Sequence, residues 1–95
     1  MKENIKTIQQ KIIPLLKEAG VLRSAVFGSV ARGEESPESD VDILIELPDD
    51  KTMFDLMELE EKLQSTLGKK VDVVTYRSLH RLLQDQILRE QVPIL

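Results

Sequence analysis

Asp40-Val41-Asp42 opens an otherwise apolar run, Ile43-Leu44-Ile45, whose residues are those of a buried strand. Side chains two residues apart on a strand share a face. The spacing therefore aims both carboxylates at one point and sends Val41 and Ile43 the other way. Aspartate is depleted in strands and like charges repel, so packing alone gives a fold no reason to accept the pair. A bound cation removes that objection. Oxygen-only ligands select a hard ion such as Mg²⁺ or Mn²⁺, which uses one or two carboxylates and completes its shell with water and phosphate. Separated from it by ten residues, Gly28-Ser29 closes a second apolar run over 21–27. A glycine and a hydroxyl where a strand hands over to a helix read as a phosphate cradle. Backbone N–H groups at a helix start attract anions, and the missing Cβ permits close approach.

The rest of the pattern surrounds this centre with helices. Ile5, Ile8, Ile12, Leu15 and Ala19 recur at intervals of three or four, an amphipathic stripe that Gly20 can end and that Pro14 is expected to kink or break. Residues 29–39 are small and polar, a short helical turn followed by a loop, and the acidic strand is expected over 40–47. Pro48-Asp49-Asp50 forms a turn. Thr52 caps a helix that turns Leu56, Leu59, Leu63 and Leu67 inward and stops at Gly68. Val71-Asp72-Val73-Val74-Thr75 is a third strand with a third carboxylate. Ser78 is expected to cap a last helix with Leu79, Leu82, Leu83, Ile87 and Leu88 inward, ending near Pro93. The expected fold class is α/β (α+β), a small mixed β-sheet covered by helices in one domain spanning 1–95.

Composition excludes several classes. There is no cysteine, so disulfides and thiolate metal sites are ruled out, and a reducing cytoplasm is the simplest setting. No window has the length of a membrane span or the form of a signal peptide. A formal charge of −4 argues against strong nucleic-acid binding, which needs a basic surface, so phosphate contacts here should be local and metal-assisted.

Taken together, Gly28-Ser29, Asp40-Val41-Asp42 and Asp72 in a later strand resemble the polymerase β-type nucleotidyltransferase superfamily. Phe27-Gly28-Ser29-Val30-Ala31-Arg32-Gly33, with Ser39-Asp40-Val41-Asp42-Ile43 and the closing Ile87-Leu88-Arg89-Glu90, is similar to the minimal nucleotidyltransferase (MNT) antitoxins of HEPN/MNT toxin–antitoxin systems, over essentially the whole chain. The resemblance implies a two-metal site. Asp40, Asp42 and Asp72 would hold two Mg²⁺ ions, and Asp72 would also accept the nucleophile's proton. Gly28 and Ser29 would take the phosphates of ATP, with Arg32 as a further contact. It also implies the partner, a HEPN-type ribonuclease toxin that receives AMP on a tyrosine, and a homo- or hetero-oligomer that supplies the acceptor surface this short chain lacks.

Other residues have plainer readings. Gly28-Ser29 taken alone is an ordinary capped turn, and Asp72 taken alone is a structural ion pair with Lys69, Lys70 or Arg77. Arg77 is a second candidate for steering triphosphate. Tyr76 reads as packing, His80 as a surface residue, and Glu34-Glu35, Glu58 and Glu60-Glu61 as solvated faces. Two other functions fit the same motifs: a binding module that silences its partner by masking, and transfer to a small hydroxyl compound.

Overall fold

The computed structural model describes residues 5–31, 40–79 and 81–95. Helix α1 (Ile5–Glu18) is followed by β1 (Arg23–Phe27), a single helical turn α2 (Gly28–Ala31) and β2 (Val41–Glu46). Helix α3 (Met53–Leu67), β3 (Val71–Thr75), a 3₁₀ turn (Tyr76–Ser78), α4 (Arg81–Glu90) and β4 (Val92–Pro93) complete the order. The strands form one mixed sheet in the order β3-β2-β1-β4. β1 is antiparallel to β2 and β4, while β2 and β3 run parallel across the α3 connection.

Helices α1 and α3 pack on each other and on one face of the sheet. Ile8, Ile12 and Leu16 meet Leu59, Leu63 and Leu67, with Val26, Val41, Ile43, Ile45 and Val71 beneath them. Full burial of each such side chain contributes roughly 1.5–3 kcal/mol. The seam of α1 therefore runs through Leu16 rather than Leu15 and Ala19, which lie half-buried at its edge. Pro14 does not break the helix. It lies on the exposed side, as does Gln10, whose carbonyl loses its usual partner and is left to water.

Helix ends behave as their residues require. Gly20 (φ 81°) closes α1 with two bonds, its N–H to the Lys17 carbonyl at 3.1 Å and the Val21 N–H to the Leu16 carbonyl at 3.0 Å. That cap uses up Val21, so β1 starts at Arg23 rather than at 21. Thr52 accepts from the Asp55 N–H while the Asp55 carboxylate accepts from the Thr52 N–H at 2.8 Å, a capping box at the head of α3. Gly68 (φ 68°) ends that helix.

Three expectations are corrected. Leu56 is not in the core: it sits half-exposed at the lip of a cleft. Ser78 is not the residue that leads into α4 (Arg81–Glu90): it lies in the 3₁₀ turn, its hydroxyl bonding that of Thr75 at 2.6 Å, and the extended Leu79 follows it. The last helix ends at Glu90, short of Pro93, because the chain then enters β4, which sets Val92 against Val26 and Pro93 against Ala25. A proline is tolerated there because β4 is an edge strand. Ile94 follows into the core, its N–H bonding the Ser24 carbonyl at 2.9 Å. Leu82, Leu83, His80 and Glu34-Glu35 lie outside what the structure describes.

Candidate functional site

Strand register positions the acidic side chains. Phe27 of β1 lies opposite Asp42 of β2, and Asp42 lies beside Asp72 of β3. Alternation places all three on the sheet face opposite α1 and α3. The next row on that face is Ala25, Leu44 and Val74, of which Ala25 and Leu44 are fully buried, so the carboxylates stand on an apolar floor. One bond sets the start of β3 against β2, the Val41 N–H donating to the Lys70 carbonyl at 3.0 Å, and a second ties β3 to α3, the Val71 N–H donating to Gln64 Oε1 at 3.2 Å.

Gly28 closes over this pair. It turns the chain out of β1 at φ 75° and opens α2, which packs against β1 and β2. A Cβ at Gly28 would run into Asp42 Oδ2 and stand 3.2 Å from its Cγ. Only glycine accommodates both the left-handed backbone and the carboxylate.

Asp40 precedes β2 as Lys70 precedes β3, and the Lys70 ammonium lies 3.9 Å from Asp40 Oδ2, both side chains partly exposed. Among the described residues, no group of three carboxylate, imidazole or thiol side chains is placed to hold a metal ion. The structure thus brings Asp42 and Asp72 together and sets Asp40 against Lys70. An oxygen-only pair on neighbouring strands, roofed by a residue without a side chain, has the chemistry that suits a hard divalent cation completed by water and phosphate. Ser29 lies in α2 with its backbone in the first turn. Its hydroxyl and all of Arg32 lie outside what the structure describes.

Lys70, named from sequence only as a partner for Asp72, instead faces Asp40. The signal for Lys70 is its position two residues before Asp72, on the same strand face. Arg77 is removed from the phosphate path. It follows the far end of β3 and pairs with Asp49 at 3.0 Å, both fully in water. Tyr76 packs as expected, with the Arg23 guanidinium 3.9 Å over its ring and its hydroxyl donating to Gln91 Oε1 at 3.2 Å. Burial raises its pKa above the usual 10.0.

Residues 9–94 match the family model of the nucleotidyltransferase domain. The chain belongs to that family, and its class of activity is nucleotidyl transfer. Within the family it is similar to a Methanocaldococcus jannaschii chain named a protein adenylyltransferase, with 50% identity over 92 residues, 97% of this chain and 99% of that one. A solved minimal nucleotidyltransferase has the same fold, with a TM-score of 0.84 and 36% identity over 96% of each chain. So does the structure of a tri-AMPylated Shewanella oneidensis HEPN toxin in complex with its MNT antitoxin, with a TM-score of 0.73 and 27% identity, covering 95% of this chain and 71% of that one.

Proposed function

We propose that this chain is a Mg²⁺-dependent protein adenylyltransferase that transfers AMP from ATP to a tyrosine hydroxyl of a cognate HEPN toxin and so acts as its antitoxin. The observation that carries this reading is the register that sets Asp42 beside Asp72 beneath Gly28. Similarity to a protein adenylyltransferase over nearly the whole chain supports the reaction, and similarity to the AMPylated HEPN complex supports the class of acceptor.

In this reading Asp40, Asp42 and Asp72 hold two Mg²⁺ ions, while Gly28, Ser29 and Arg32 take the triphosphate. When bound, the ions lower the pKa of the attacking hydroxyl and offset the charge on departing pyrophosphate. The acceptor oxygen forms its bond to the α-phosphorus as the bond from that phosphorus to the bridging oxygen breaks, and pyrophosphate leaves in line. Asp72 takes the hydroxyl proton. β3 is an edge of the sheet, so an acceptor segment can reach Asp72 from the side. Asp40 would join the ions from beside Lys70, whose ammonium, 3.9 Å from Asp40 Oδ2, would stand close to phosphate charge. A reducing cytoplasm that supplies ATP is the setting this requires.

Incubation with labelled ATP, Mg²⁺ and the HEPN toxin encoded with this chain should label the toxin and stop its RNA cleavage. Asp42→Asn should transfer no label. The wild-type chain should neutralise an excess of toxin; neutralisation that needs an equimolar chain and is the same in Asp42→Asn would point to masking alone, and label found only on small hydroxyl compounds would reassign the acceptor.

A further inference from the structure

The end of the sheet away from the carboxylates carries apolar surface that the transfer reaction does not use. On the first turns of α3, Met53 is 70% exposed, Phe54 80% and Met57 54%, and Leu22 beside β1 is 61% exposed. Leu22, Met53 and Leu56 line a cleft of about 990 Å³, and Tyr76 and Pro48 extend its wall. Phe54 and Met57 lie three residues apart on the outer face of α3, with Met53 one turn before Met57 linking that face to the cleft. An aromatic ring left in water with a second large apolar side chain on the same helix face marks an interaction surface.

The rim is acidic. Between residues 49 and 62 the sequence has six carboxylates (Asp49, Asp50, Asp55, Glu58, Glu60, Glu61) against two lysines, a balance equal to the formal charge of −4 of the whole chain. Every one of these carboxylates except Glu60 is on an exposed residue, and Glu60 is half-exposed. A second copy of this chain is a poor occupant, because a two-fold contact through α3 would bring the same carboxylates face to face. A partner with a basic, partly apolar surface fits. A ribonuclease has such a surface where it holds RNA: cations for the phosphates and flat apolar platforms for the bases. A ring flanked by carboxylates offers that surface the same pattern of charge and stacking.

We infer that the Leu22, Met53, Phe54 and Met57 patch, with its Glu58, Glu60 and Glu61 rim, docks on the basic RNA-binding surface of the HEPN ribonuclease. The inference rests on the proposed function for the identity of the partner, and it adds a contact that blocks RNA before any AMP is transferred. Glu46 lies four residues along β2 from Asp42, about 13 Å at the rise of a strand, so a partner seated at this end leaves the donor site open.

The test is the affinity for a cleavage-inactive form of the HEPN ribonuclease encoded with this chain, measured without ATP. Phe54→Ser with Met57→Ser should weaken binding by about 30-fold, the loss expected of an aromatic anchor. Glu60→Lys with Glu61→Lys should weaken it by about tenfold and flatten its dependence on salt. Single-stranded RNA should compete with the wild-type chain for the ribonuclease. Both double variants should bind a fluorescent ATP analogue as the wild type does. Variant binding as tight as wild type overturns the docking surface and leaves the function standing, as does a change only in the chain's own oligomeric state. No complex with the wild-type chain overturns the function and the surface together.

Discussion

The two ends of strands β1 and β2 solve opposite problems with the same sheet face. At one end Arg23 of β1 stands opposite Glu46 of β2, its guanidinium 3.3 Å from the carboxylate and stacked on Tyr76. There unlike charges meet and a ring covers the cation. At the other end Asp42 has Asp72 beside it on the parallel strand and Gly28 above it. There like charges are held together by register, and the residue that would have filled the space has no side chain. The first arrangement favours the fold by a small amount. The second places two carboxylates side by side where a cation can join them, and the core beneath, from Ile43 and Ile45 to Leu59 and Leu63, holds the strands in place.

The comparison breaks most visibly at Asp42. Asp42→Asn should lower AMP transfer by about 10³-fold or more, because carboxylates acting on one phosphorus act as a unit. Asparagine keeps the shape of the side chain and a hydrogen-bonding oxygen, so thermal unfolding without divalent ions should occur at a similar temperature. A clear loss of stability in the metal-free chain would show that Asp42 is structural. At the core the expectation reverses. Leu63→Ala should cost about 2–5 kcal/mol in denaturant unfolding and lower transfer only in proportion to the folded fraction.

Gly28→Ala lies between these cases. The left-handed backbone and the collision with Asp42 should cost about 1–2 kcal/mol, and the displaced carboxylate should reduce turnover by about 10²-fold. Unchanged turnover would remove Gly28 from the site. At the charge-matched end, Glu46→Gln should shift stability by no more than about 1 kcal/mol and leave turnover alone, since this pair is half in water.

The smallest effect belongs to Asp55. Its bonds from the Thr52 backbone and side chain hold its carboxyl below the ordinary 3.8, so the folded chain favours the ionised form. Its contribution is present above pH 3.8 and is lost as pH falls below that value. The stability difference between wild type and Asp55→Asn should therefore shrink on acidification through this window, and a difference that is constant with pH would contradict the capping box.

Much of this was legible in local patterns, and the exceptions share a cause. Asp42 among apolar neighbours, Thr52 before a leucine repeat, and Gly20, Gly28 and Gly68 at chain reversals all act through their nearest residues, so spacing alone reveals them. Which strands would pair is a different matter. That β3 lies parallel to β2 with Asp72 level with Asp42 depends on the length and packing of α3, which no short window contains. The two-residue β4 escaped for the same reason: Val92 and Pro93 become a strand only because the edge of β1 is there to receive them. Leu16 and Leu56 were misplaced by one helical position and by one helical turn, since periodicity locates a stripe but not how far the sheet extends beneath it. The link from Asp40 to Lys70 crosses two strands and became visible only with the register.

The most direct test is the intact mass of the HEPN toxin after incubation with this chain, ATP and Mg²⁺, run in parallel with Asp42→Asn and Asp72→Asn. The account predicts one or more added adenylyl groups with the wild-type chain and none with either variant. An unmodified toxin in the wild-type reaction, or modification that persists in either variant, would contradict it.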